Sequence, residues 1–147
     1  MKALIQRVSR ASVAPDREIG KIGHGLVVFI GVASGDSEKD ADYLVSKLLN
    51  LRIFGDEQGK FNLSVTQIGG QILFVSQFTL IADSRHGRRP SFTEAALPAE
   101  ASRLFDYLVE RAKQSGLLIA TGRFGEHMMV EIHNDGPVTI ILDSRNR

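Results

Sequence analysis

The sequence predicts an α+β fold, with one domain over residues 1–147 and a largely antiparallel, barrel-like sheet carrying two main helices. Three observations predict it. Apolar runs of strand length outnumber helical patterns, only two segments repeat apolar residues at helical spacing, and short glycine-bearing turns join several of the strands. The chain has 147 residues, enough for one real core. Its 43% hydrophobic and 24% charged residues are ordinary for a globular domain. No internal repeat, low-complexity tract or linker divides it.

Lys2 to Val8 reads as the first strand. "LVVFIGV", from Leu26, is a continuous apolar run with β-branched residues and reads as a buried strand. A helix follows in "SGDSEKDADYLVSKLLNL". Ser37 suits its N-cap, and Asp40 three residues on makes a weaker version of the capping box. Ala41, Leu44, Val45, Leu48 and Leu49 fall on one face of that helix. Turn signals at Gly55-Asp56 and Gly59 precede the strongest strand candidate, Gln71 to about Leu80. The second helix is expected from Pro98 to Ser115, with proline in the first turn and Gly116 just past the end. Leu104, Phe105, Leu108, Val109 and Ala112 make its apolar face. Leu117–Ala120, Met128–His133 and Val138–Leu142 complete the chain as strands. Asn134-Asp135-Gly136-Pro137 lies between the last two, and Asp-Gly between apolar runs reads as a hairpin turn. Pro137 fits that reading poorly, because proline lacks the N–H a ladder needs.

Bulk composition excludes several classes. A net charge of +1 gives no global field for nucleic acid, so any phosphate contact needs a local patch. The absence of cysteine excludes disulfides, thiolate zinc sites and a cysteine nucleophile, and fits a reducing compartment. "MKALIQRVSRASV" is broken by Gln6, Arg7 and Arg10, so it lacks the apolar region of a signal peptide. The longest apolar run, Leu26–Ala33, is far short of a membrane span. A cytoplasmic location is expected.

Four segments are candidates for chemistry. "VSQFTL" places Ser76 and Thr79 at a strand end, on opposite faces if the strand stays regular. No GxSxG elbow surrounds either, so a hydrogen-bonding role at a strand end competes with a catalytic one. "DSRHGRRPSF" puts Arg85, Arg88 and Arg89 around Gly87 and before Pro90. That loop is either a phosphate binder or a solvated loop whose arginines pair with carboxylates. "TGRFGEHM" is either a plain turn or a place where backbone approaches a ligand closely. Gly136-Pro137 is either a strand-starting proline or a rigid corner, since a Gly-Pro bond has access to the cis form. His24, His86, His127 and His133 form no HxH or HExxH pattern, so no metal site is expected.

Taken together, these segments resemble the D-aminoacyl-tRNA deacylases, also called D-tyrosyl-tRNA deacylases. The resemblance runs nearly end to end. It rests on "IQRVSRASV" (5–13), "LRIFGDEQGKFNLSV" (51–65), "VSQFTLIAD" (75–83), "GRRPSF" (87–92), "TGRFGEHMMV" (121–130) and "NDGPVTIILDS" (134–144). "SQFT" and "GPVT" are the family's two defining motifs, and their joint presence in this order is highly specific.

The resemblance implies an editing hydrolase that cleaves the ester of a D-amino acid on tRNA and also clears glycine from alanine tRNA, with no cofactor and no metal. It implies a homodimer with sites at the subunit interface. Ser76, Gln77, Phe78 and Thr79 would form the catalytic side, acting through RNA-assisted hydrolysis rather than a side-chain nucleophile. Gly136 and Pro137 would enter the partner's pocket across a cis bond and leave no room for an L side chain. Arg7 would fix that loop, Phe78 would pack near the adenine, and Met128 or Met129 would line the pocket, Met129 contacting the substrate. Arg85, Arg88 and Arg89 are the candidate tRNA contacts. Two rival classes remain: an RNA- or phosphate-binding module without turnover, and a serine hydrolase using Ser76.

Overall fold

Most strands of the main sheet are arranged around the first one. The computed structural model describes all residues, 1–147. β1 runs Lys2–Ala14, well past the expected end at Val8. One edge pairs antiparallel with β3 (Gly25–Gly31) and then β2 (Gly20–Ile22); the other pairs antiparallel with β8 (Met129–Asp143). Beyond β3 the sheet turns parallel, through β6 (Gln71–Ser76) to β7 (Ile119–Thr121). The sheet is therefore mixed, antiparallel only in the pairings of β1. The physical reason is that each helix lies between two strands and carries the chain back across the sheet, which yields parallel neighbours.

Those helices are α1 (Glu38–Asn50) and α2 (Pro98–Lys113), both close to their expected spans. Ser37 caps α1, where the Asp40 carboxylate accepts from the Ser37 N–H at 2.8 Å. Gly116 follows α2 with φ of +80°, a conformation that favours glycine. A separate hairpin joins β4 (Phe54–Gly55) to β5 (Phe61–Leu63), turning through Gly59.

Apolar alternation explains why β3 and β6 read as unbroken apolar runs. Leu26, Val28, Ile30, Ile72 and Phe74 face the helices and meet Leu44, Leu48, Leu104 and Leu108 there. Val27, Leu73 and Val75 face the other way, into a second core with Val8, Ala11 and Val13. Strands covered on both faces lose the polar half of the pattern. Gly20 lets the sheet curl towards closure: a Cβ there would lie 2.9 Å from the Thr121 carbonyl oxygen on β7.

The last two expected strands are one. Met129–His133 and Thr139–Asp143 both pair with β1 in the same antiparallel sense. Between them a two-residue step on β1, Gln6 to Val8, faces a five-residue step on β8, Asn134 to Thr139. Asn134–Pro137 is thus a large bulge in a continuous strand and not a hairpin turn. A second bulge, between Val8 and Arg10 of β1, shifts the alternation by one so that Ala11 and Val13 stay on the buried face with Val8.

Asp40 links stability to acidity. Burial pushes its carboxyl up, but hydrogen bonds from the Ser144 hydroxyl and the Ser37 N–H, together with the Met1 ammonium, pull it below the ordinary 3.8. A carboxyl depressed in the folded state stabilises the fold above its unfolded pKa and loses that contribution as pH falls. The stability gap between wild type and Asp40→Asn is expected to shrink steadily below about pH 4. Urea unfolding midpoints measured across that range check it; a gap that stays constant or widens with acid contradicts it.

Candidate active site

The candidate site forms where β6 ends. The Gln77 N–H still donates to the Ile30 carbonyl at 2.8 Å, extending the parallel ladder by one bond. Gln77 then leaves the strand, and Phe78–Ile81 form a 3-10 turn instead of the expected continuation to Leu80. The turn's first bond runs from the Leu80 N–H to the Gln77 carbonyl. The N–H groups of Phe78 and Thr79 precede it and so stand outside the turn's own ladder. Because Thr79 is in a turn, strand alternation does not set its direction relative to Ser76.

Gly31, the last residue of β3, makes this junction possible. A Cβ there would sit 2.9 Å from the Leu80 Cβ and 3.0 Å from the Gln77 carbonyl oxygen. Only glycine lets β3 run flush beneath the turn. Sequence reading passed over Gly31, although a glycine inside an apolar strand is itself a signal of close backbone approach.

Beside the junction is a cavity of about 600 Å³, within the range of roughly 300–1,000 Å³ usual for small-molecule sites. Ser76, Gln77 and Phe78 form one wall. The loop before α2 supplies Phe92 and Leu97, and the β7–β8 loop supplies Phe124 and Met128. Phe92 meets Phe78 edge-on, with ring centroids 5.0 Å apart. The Ala96 N–H donates to the Val32 carbonyl at 3.0 Å, which pins that loop to the end of β3. Gly122 makes room for Met128, whose sulfur would lie 2.6 Å from a Cβ at that position.

Met128, not Met129, therefore lines the cavity. Met129 begins β8 with its side chain outward and 68% exposed, as the alternation of a strand requires. The polar side chains around the cavity are Ser76, Gln77, Glu126 and His127. The Ser76 hydroxyl has no histidine or carboxylate hydrogen-bonded to it, and the Thr79 hydroxyl accepts from the Gln77 side-chain amide. Neither hydroxyl has the adjacent base that an activated nucleophile needs. No group of three or more His, Cys, Asp or Glu side chains is placed to hold a metal ion.

Gly136 and Pro137 are elsewhere. Ser76 pairs across to Ile30 and then to Ala3, whereas the bulge faces Arg7, four residues further along β1. Strand rise and spacing put the two about 20 Å apart within one chain. The Gly136-Pro137 bond is cis. Arg7 grips the bulge: its Nε donates to the Asp135 carbonyl at 2.9 Å and its Nη1 to the Ile53 carbonyl at 2.8 Å. The arginine loop divides. Arg85 is held by the Asp83 carboxylate at 2.7 and 2.9 Å, which drives that carboxyl well below the usual range. Arg88 and Arg89 are exposed and make no ion pair.

A model of the family described as D-Tyr-tRNA(Tyr) deacylase matches residues 4–143. The chain belongs to that family. A D-aminoacyl-tRNA deacylase of Dehalococcoides mccartyi (strain ATCC BAA-2266 / KCTC 15142 / 195) is 62% identical, covering 100% of this chain and 97% of that one. One from Heliobacterium modesticaldum is 56% identical over 99% of this chain and 97% of that one. A solved structure described as a c-Myc DNA Unwinding Element Binding Protein superposes with a TM-score of 0.91. It is 41% identical and covers 97% of this chain and 98% of that one. Another, described as a probable eukaryotic D-amino acid tRNA deacylase, shares the fold at a TM-score of 0.82 and 17% identity, over 96% of this chain and 97% of that one. This deacylase is thus a hydrolase of the ester bond of D-aminoacyl-tRNA. No helix in it is long and apolar enough to cross a membrane.

Proposed function

We propose that the Ser76–Thr79 junction is the catalytic face and that hydrolysis there is assisted by the RNA. The observation that carries this reading is the pair of Phe78 and Thr79 N–H groups left outside the turn's ladder, with Phe78 on the wall of an apolar cavity and no base hydrogen-bonded to the Ser76 or Thr79 hydroxyl. Those donors polarise the ester carbonyl as water adds to its carbon. The free ribose hydroxyl of the terminal adenosine takes a proton from that water as it passes its own proton to the neighbouring ester oxygen. The ester oxygen leaves with a proton, giving free tRNA and the D-amino acid. Phe78 and Met128 flank the terminal adenosine, and Arg88 and Arg89 contact tRNA phosphates, Arg85 being engaged by Asp83.

Chirality is set by Gly136 and Pro137 supplied by a second copy of the chain. Their separation from Ser76 within one chain supports a site completed in a homodimer. D- and L-substrates carry the same groups, so discrimination needs an obstacle against the wrong hand. A backbone element gripped by Arg7 is a better obstacle than a mobile side chain. Glycine carries no side chain to exclude, so glycine on alanine tRNA is also cleared.

Purified protein is expected to release tyrosine from D-tyrosyl-tRNA and not from L-tyrosyl-tRNA; equal release, or none, sinks the reading. Thr79→Ala is expected to keep single-turnover hydrolysis of D-tyrosyl-tRNA within about tenfold of wild type. A loss of several orders of magnitude with the fold intact would establish Thr79 as a nucleophile instead.

A further inference from the structure

Arg7 grips the Asp135–Gly136 backbone, and the group that holds Arg7 in place is the small hairpin outside the main sheet. Ile53, whose carbonyl accepts from Arg7 Nη1, immediately precedes β4. Phe61 opens β5, and the Arg7 guanidinium carbon lies 5.5 Å from the centroid of its ring. The same hairpin carries Phe54, whose ring meets His24 edge-on at 5.3 Å, and His24 Nε2 is 3.8 Å from the Asp135 carboxylate. Both side chains that reach Asp135 are therefore backed by the hairpin. Phe61 itself is 58% exposed and belongs to neither core. Burial within the chain does not account for this aromatic ring, and the group against its face is the Arg7 guanidinium.

We infer that Phe61 is a positioning residue for deacylation: its ring braces Arg7, and Arg7 sets where the Asp135–Gly136 backbone points. The inference rests on the proposed role of Gly136 and Pro137. A long arginine side chain directs a backbone segment only if its own rotamer is held. The Ile53 carbonyl fixes one end of the guanidinium plane, and the Phe61 face covers the side from which that plane would otherwise swing into water. The attraction is between a cation and the negative face of the ring, so an aliphatic residue of similar size does not replace it.

Phe61→Leu and Phe61→Tyr in the full-length protein test this, with D- and L-tyrosyl-tRNA as probes in single-turnover and saturation assays. Phe61→Leu is expected to lower kcat on D-tyrosyl-tRNA by about two- to fivefold, the size of an exposed cation–π contact, and to lower the D-to-L ratio, with KM and the thermal midpoint close to wild type. Phe61→Tyr, which keeps the ring, is expected to restore both. Wild-type kcat and ratio in Phe61→Leu overturn the inference. So does a change in sedimentation of Phe61→Leu, which would make the residue an interface contact rather than a brace. Gly136→Ala run alongside separates the two readings. If it is impaired while Phe61→Leu is normal, only the brace fails; if it is fully active, the role of the bulge itself fails.

Discussion

Replacing Gly136 with alanine is expected to cut single-turnover hydrolysis of D-tyrosyl-tRNA by about 100-fold while leaving the protein folded. Gly136 has φ of +135°, in the region that L side chains avoid. An added Cβ would lie 2.9 Å from Val138 Cγ2, 3.0 Å from the Val138 nitrogen and 3.2 Å from Arg7 Nη2. The first two contacts are with the residue that restarts β8 beside the bulge, and the third is with the side chain that grips it. Relief requires the bulge to shift and the Arg7 contacts to loosen. A displacement near 1 Å at a substrate-positioning element is enough for about a 100-fold loss. Residues 134–137 are exposed, so the fold itself is little strained. A thermal midpoint within several degrees of wild type is expected, from about 1–3 kcal/mol of local strain. Activity within threefold of wild type would show that the position of this backbone does not matter to the reaction.

Gly31→Ala acts on the opposite side of the site. Gly31 is buried and pairs with Lys2, so β3 cannot move away from the turn. A Cβ at 2.9 Å from the Leu80 Cβ, 3.0 Å from the Gln77 carbonyl oxygen and 3.2 Å from Ile81 Cδ1 leaves the turn as the part that yields. Overpacking of this kind costs about 1–3 kcal/mol. The larger effect is on rate, because the displaced segment carries the Phe78 and Thr79 N–H groups; losing one such donor costs about 100-fold or more in kcat. Saturating single-turnover kinetics beside a denaturant titration separates the two. Reduced stability with an unchanged rate would place the catalytic donors elsewhere.

The helices were legible because nothing distant competes with their signals. Ser37, Asp40, Pro98 and Gly116 act within a turn or two of themselves, and the apolar faces at Leu44–Leu48 and Leu104–Leu108 need only some core to meet. The strands were legible in kind and less so in extent. Gln71–Leu80 reads as one apolar run, yet it breaks at Gln77 because the ladder with β3 ends at Ile30 and Gly31 leaves space for a turn. That space is a property of two strands together, which neither segment encodes alone.

The stretch Asn134–Pro137 shows the division most clearly. Asp135-Gly136-Pro137 signals a departure from regular strand, and the residues alone determine that much. Whether the chain reverses or bulges depends on which strand the two flanks pair with. Both pair with β1, which reaches Ala14 and spans them together. Likewise "SQFT" and "GPVT" determined the family by residue identity. Their placement on different strands, about 20 Å apart in one chain, was decided by sheet register, a long-range property that local residue patterns do not carry.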